Sequence, residues 1–545
     1  MAAQLWFAGL LAAVSATPAV AEPATESFGP SDIAARLRGP EIFNSVHHAM
    51  RQWGSSLHHN GMSYYLATVP EGVLLHHGNN SPDSPTDPDW LAYEIEHAEN
   101  FAHGRRPGGG GGGGPPPPPR SGGVGPGSWW PEPQAVIGGP PPDEPEPLDD
   151  GVISYGYLHT YKTTRPLQFL YIDGMGGGKT SMGTLDSQDY LLRGLNSSTS
   201  PRQDMKPKGG ARAKGGPMDE KQRAADLCEL SKEWELQGVI RMEAGFEIIK
   251  CDFSDGLEEV QAFRRPNEEQ RGPGGGRPGG GMTNVEYMRG VAERYQGIGA
   301  SRTFIDYSSM VSAFFYPVNL SNPDPKRPDL PRLSSVNSTD LVLIKKDLGD
   351  IVANRRGHPL PHVDWQGVSD LIVGRYADRI QYMAKDVNSA DKMNQMVSFL
   401  LTLFIDYSED EPDKPAAVQR CSDFYLAPVR PVTEADRLVK AAFEVVTHQI
   451  CNSLFIVRDQ LVQSTSALEG AKSTMRDLMD FLQWTRFKRC PPCALSEVCM
   501  IPMWPMGTVE EYNSPRCTNG SDARDGESYW GHGPGGGRGK PPPRF

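Results

Sequence analysis

The sequence predicts an α+β domain, mostly antiparallel sheet with flanking helices, followed by a mainly helical domain. Three observations carry this expectation. Short β-branched and aromatic runs populate the first half, apolar residues recur at helical spacing after residue 283, and Gly/Pro-rich stretches punctuate the chain. Glycine supplies 60 and proline 49 of the 545 residues, and the excess is local. It falls in 104–150, 197–218, 264–281 and 520–545. These segments lack the apolar surface to offset their ordering entropy and read as disordered. The expected order is therefore a domain over 30–262 interrupted by the first two, a linker over 264–281, a disulfide-containing helical domain over 283–519, and a tail.

The elements follow in order. Ile42, Val46, Met50 and Trp53 repeat at helical spacing, and Gly54 is placed to end that helix. Tyr64 to Val69 and Val73 to His77 read as strands around the turn Pro70-Glu71-Gly72. Trp90 to Ala102 reads as a strand running into a helix. Tyr155 to Tyr161, Leu167 to Asp173 and Gly245 to Phe253 have strand composition, and Ala224 to Gln237 reads as helix. Farther on, Val368, Leu371, Ile372, Tyr376 and Ile380 share one helical face. Thr433 with Asp436 caps a run holding Leu438, Ala442, Phe443, Val446, Ile450 and Leu454, and Met475 to Trp484 continues the theme.

Residues 1–21 read as a secretory signal. Leu5 to Val14 is apolar but too short to span a bilayer, and Ala19-Val20-Ala21 offers a cleavage site before Glu22. Cysteine use agrees. Cys228, Cys251, Cys421, Cys451, Cys490, Cys493, Cys499 and Cys517 make an even set, expected to form up to four disulfides in an oxidising compartment. The last four have zinc-like spacing, but in a secreted chain we read them as disulfides and expect no metal. Asn79, Asn196, Asn319, Asn337 and Asn519 head glycosylation sequons. The expected location is extracellular. A net charge of −13 argues against a general nucleic-acid binder, and no later stretch is a membrane span.

Two motifs invite chemistry. The run from Tyr171 to Thr180 ends in Gly-Gly-Gly-Lys-Thr, but the position five before Gly178 is Asp173, and Gly174 is one residue too close for a P-loop. It reads as a flexible Gly turn, with a nucleotide-binding P-loop as the lesser alternative. Eight of the 13 histidines fall within 47–103, including the pairs His47-His48, His58-His59 and His76-His77. They read as solvated or hydrogen-bonded rather than as metal ligands.

A third constellation runs from Leu74-Leu-His-His77-Gly78 through Trp90-Leu-Ala-Tyr93. It continues with Tyr155 to Tyr161 and Arg165 to Tyr171, and closes on Glu243-Ala-Gly-Phe-Glu247-Ile. In order and style, residues 40–255 resemble ADP-ribosyltransferase-like domains. The resemblance implies NAD as co-substrate. His77 would hold the adenosine ribose, Tyr93 would stack near the nicotinamide, and Glu247 would stabilise the developing oxocarbenium. His76 stands where that family has tyrosine, and Glu243 competes with Glu247. The signal, sequons and long inserts also resemble uncharacterised secreted proteins of filamentous fungi. The competing expectation is a non-catalytic extracellular interaction or structural protein, its partner an unidentified protein or small molecule.

Overall fold

The structure, a computed structural model, describes residues 28–102, 155–195, 219–266, 284–292, 295–357, 360–408, 413–463, 467–519 and 528–530. The expected signal, the segments 104–150 and 197–218, and Asn196 lie outside the described residues.

Three short helices open the chain: α1 (Asp32–Leu37), α2 (Gly39–His48) and α3 (Gln52–Leu57). The single helix expected through Trp53 is instead broken. Met50 takes a positive φ of 55° between α2 and α3. Gly54 sits inside α3 rather than ending it, because a Cβ there would lie 2.4 Å from the His48 ring.

Strands β1 (Ser63–Val69), β2 (Leu74–Asn79) and β3 (Asp89–Ala92) lead into α4 (Ile95–Glu99). Then come β4 (Tyr157–Thr163), β5 (Leu167–Ile172), a π-helical turn at Ser187–Leu192, and α5 (Glu220–Glu233). A hairpin of β6 (Gly238–Met242) and β7 (Phe246–Lys250) precedes β8 (Leu257–Arg264), α6 (Asn284–Val291) and β9 (Phe304–Ser312). The nine strands form one sheet in the order β8-β4-β2-β3-β7-β6-β5-β1-β9. Every pairing is antiparallel except β5 with β6. A parallel pair needs a crossover, and the π-helical turn and α5 lie in it. Although Pro70-Glu71-Gly72 joins β1 to β2, the two do not pair; the sheet curls so that Gly72 donates to the Thr163 carbonyl at 2.8 Å.

The remainder is mainly helical: α7 (Ser338–Arg355), α8 (Trp365–Lys385), α9 (Ala390–Leu401), α10 (Lys414–Asp423), α11 (Glu434–Gln463) and α12 (Leu468–Leu482). A small hairpin of β10 (Val498–Met500) and β11 (Arg516–Thr518) flanks α13 (Val509–Asn513). The Thr433–Asp436 cap forms, with Asp436 N donating to Thr433 Oγ1 at 3.1 Å. Leu371 departs from its expected face and is 59% exposed.

The core crosses the expected domain boundary. β9 lies past residue 283 yet closes the sheet beside β1. The Phe43 ring of α2 packs 4.5 Å from Phe443 of α11 and 5.7 Å from Trp484. All eight cysteines are paired, as Cys228–Cys251, Cys421–Cys451, Cys490–Cys499 and Cys493–Cys517. The sulfurs of Cys490, Cys493 and Cys517 cluster within 4.8 Å of one another, but as members of two disulfides. No helix among the described residues is long and apolar enough to cross a membrane.

Candidate functional site

The β6–β7 hairpin sets Arg241 directly opposite Glu247, so both side chains leave the same face of the sheet. Arg241 Nε donates to Glu247 Oε1 at 2.8 Å, and its guanidinium also bonds Gln188 Oε1 at 2.9 Å and the Glu220 carboxylate of α5. Glu220 in turn accepts from Arg223, which forks onto Asp189 at 2.9 and 3.0 Å. From the other side, His97 of α4 brings Nε2 to 3.7 Å from Glu247 Oε2. Gly78 makes that approach possible: a Cβ there would fall 2.0 Å from the Ala98 carbonyl oxygen.

The Gly-rich turn belongs to the same cluster. Residues 171–180 are all buried, which corrects the expectation of a flexible turn. A Cβ on Gly177 would lie 2.9 Å from the Glu243 Cβ, so glycine lets the turn seat against the hairpin. Lys179 is 2% exposed. Its Nζ donates to Glu243 Oε2 at 2.6 Å and lies 3.9 Å from Glu220. The lysine that a P-loop would offer to phosphate thus points inward, onto carboxylates.

The charges tune one another. Burial pushes the Glu243 carboxyl up to about 7, with Glu247 adding to the rise and Lys179 opposing it. Burial also works against ionised Glu220, but Arg241, Lys179 and Arg223 outweigh it and hold that carboxyl at about 2. Burial works against ionised Glu247 too, but Arg241, His97 and Lys179 together outweigh it and keep that carboxyl below its ordinary value, and the pairing raises His97 despite its burial.

The structure separates the residues expected to bind NAD. His76 pairs with Ala92, and Ala92 with Glu247, so His76 shares the face of Glu247 and His77 takes the other. There His77 Nδ1 bonds the Trp90 carbonyl at 2.7 Å, and its ring packs against Phe253 and His159. Tyr93 is buried with its hydroxyl 2.7 Å from Thr303 Oγ1. Beside Glu247 lies a cavity of about 10 Å³, bordered also by His76, His77, Gly78, Trp90 and His97. Its volume is about that of one water molecule. Tyr93 is not among the residues that border this small cavity shared by His77 and Glu247.

The sequence reading missed His97, Lys179, Glu220 and Arg241 as partners of Glu247. One signal was present: Arg241 and Glu247 stand symmetrically about the Gly-containing turn Glu243-Ala-Gly245, the arrangement that pairs residues across a hairpin. Among the described residues, the histidines from His47 to His159 are hydrogen-bonded as expected, but His48, His59, His77, His97 and His159 are buried rather than solvated.

Residues 37–270 match the family described as the YPL277C N-terminal domain, a span that holds the whole charge cluster and β1 to β8 but stops short of β9. Over 543 aligned residues the chain is 27% identical to "Uncharacterized protein YOR389W" of Saccharomyces cerevisiae, covering 86% of this chain and 82% of that protein. It is 34% identical over 231 residues to "Uncharacterized protein YPL277C" of the same organism, covering 42% of this chain and 44% of that one. No solved structure matches the chain.

Proposed function

We propose that this chain is a secreted glycoprotein of the fungal kind that works by binding an extracellular partner rather than by turning over NAD. The observation that carries the reading is the state of Glu247. Its side chain is 1% exposed, and one carboxylate oxygen is held by Arg241. A carboxylate so placed cements the interior, whereas a catalytic one must face a developing cation in a cleft. Four disulfides fit an oxidising compartment. Asn319, Asn337 and Asn519 are exposed, and Asn79 is half-buried at the end of β2.

The test compares purified secreted protein with its Glu247→Gln variant. We expect no NAD hydrolysis or ADP-ribose transfer from either, and a lower melting temperature in the variant. Wild-type turnover that falls about 100-fold or more in the variant, at unchanged melting temperature, would restore the transferase reading. Intact mass before and after deglycosylation checks the route: a mature chain starting near Glu22 and carrying glycan is expected.

A further inference from the structure

The two histidine pairs that flank α3 each reach across to later parts of the chain. His47 Nδ1 lies 3.1 Å from Ser369 Oγ and 3.2 Å from Asp370 Oδ1, both on α8. His48 Nε2 lies 3.1 Å from Thr485 Oγ1, and His58 Nε2 donates to the Gln483 carbonyl at 3.0 Å. His59 Nε2 meets the Tyr529 hydroxyl at 2.7 Å, and its ring packs 5.0 Å from Trp530. His48, His58 and His59 therefore line one seam between α2–α3 and the chain that follows α12, while His47 faces α8 beside it.

The surroundings of these rings favour their neutral forms. The charged groups facing His48 are Arg51 and the neighbouring rings of His47 and His58, all cationic or able to become so. The His48 and His58 ring centres are 4.9 Å apart, and the His48 ring fills the slot left by Gly54. His58 faces Lys488 and Asp329, and His59 faces Arg327 and Asp329. Arg327 already forks onto Asp329. Beside His47 lies the Asp370 carboxylate, and Arg51 holds that with two bonds of 2.6 and 2.7 Å; His48 alone faces no carboxylate. A proton added to His48 thus meets no counter-ion, and the ring can be hydrated only if the opposing chain moves away.

We propose that this seam is an acid-operated clasp: protonation of the histidines detaches the described chain from Gln483 to Trp530 from α2 and α3 while the sheet stays paired. Burial lowers the proton affinity of His48, His58 and His59, His58 to about 4 and His59 to about 3, so the clasp is shut near neutrality and strained by acid.

Hydrogen exchange read by mass spectrometry tests this on the full-length protein. Labelling times are matched for intrinsic exchange between about pH 7 and about pH 4.5. We expect peptides over 483–519 to lose protection at least roughly tenfold on acidification, before peptides over β5 to β7 change. His48→Gln cannot take up the proton and should shift the midpoint of that loss to lower pH. Should that variant fold poorly, His58→Gln, at the partly exposed rim, is expected to shift it in the same direction. Uniform loss of protection along the whole chain, protection retained at about pH 4.5, or an unmoved midpoint in the folded variants would each overturn the clasp.

Discussion

On one face of the sheet Arg241, Glu247, Glu220, Lys179 and Glu243 hold β6, β7, α5 and the Gly-rich turn together. On the other, Tyr65 stacks 5.9 Å from Tyr171, Phe169 and Ile240 are fully buried, and α2 covers them with Ser45 bonded to Tyr65. The two faces are built from alternate residues of the same strands, so they share backbone, register and burial. They differ in how they tolerate loss. An aromatic layer loses contacts in proportion to the atoms removed. An ion network that loses one member leaves its partner charged, dehydrated and uncompensated. Burial alone therefore does not rank the positions; the charge left behind does.

The largest expected effect comes from Arg241→Met. It leaves the Glu247 carboxylate with only His97 at 3.7 Å and takes one of three cations from Glu220, and urea unfolding should show a loss of about 3–5 kcal/mol. A loss below about 1 kcal/mol would show that the network adds little beyond packing. Next is the Cys228→Ser/Cys251→Ser pair, which releases the tie between α5 and the end of β7. Removing that cross-link should cost about 3 kcal/mol in the same assay. On the apolar face, Ile240→Val deletes one methylene from a fully buried site. About 1 kcal/mol is expected. A larger value there than at Arg241 would reverse the comparison.

A fourth effect is one of pH, and it builds up over several pH units. Burial pushes the Asp173 carboxyl up to about 7, against bonds from Ser45 and Gly174. Between the ordinary carboxyl value and that one, the folded protein holds a proton the unfolded chain has lost. Stability from this group is thus complete at low pH and declines as pH rises towards 7, by at most about 1.4 kcal/mol per unit. Asp173→Asn should remove the decline, seen as the difference between wild-type and variant urea midpoints from about pH 4 to about pH 7. Parallel midpoint curves would show that Asp173 ionises freely.

The elements of the sheet were legible because their signals are local. Leu167 to Ile172 is a compact, largely apolar run, Phe246 to Lys250 carries three apolar residues in five, and the Thr433–Asp436 cap is written in four residues. What was not legible depended on distant chain. Nothing near Pro70-Glu71-Gly72 says that β1 and β2 belong to different neighbours, since that follows from the pairing of β1 with β5 and β9. The opposite facing of His77 and Glu247 follows from register through β3, which no spacing within either segment reveals. Lys179 reads as part of a flexible turn because its sequence neighbours are glycines; its actual neighbours, Glu243 and Glu220, come from a hairpin and a helix more than 40 residues later.

The contact between Phe43 and Phe443 has a consequence for how the protein is made. The two rings are separated by about 400 residues of synthesis. At roughly 5–20 residues per second, α2 waits some 20–80 s on the ribosome before the helix that covers it exists. Strand β1 waits likewise for β9, although its other neighbour, β5, arrives sooner. The first third of the nascent chain therefore emerges with an apolar helix face and an unfilled strand edge, the surfaces that holding chaperones capture. Final closure of the molecule is an event of late translation.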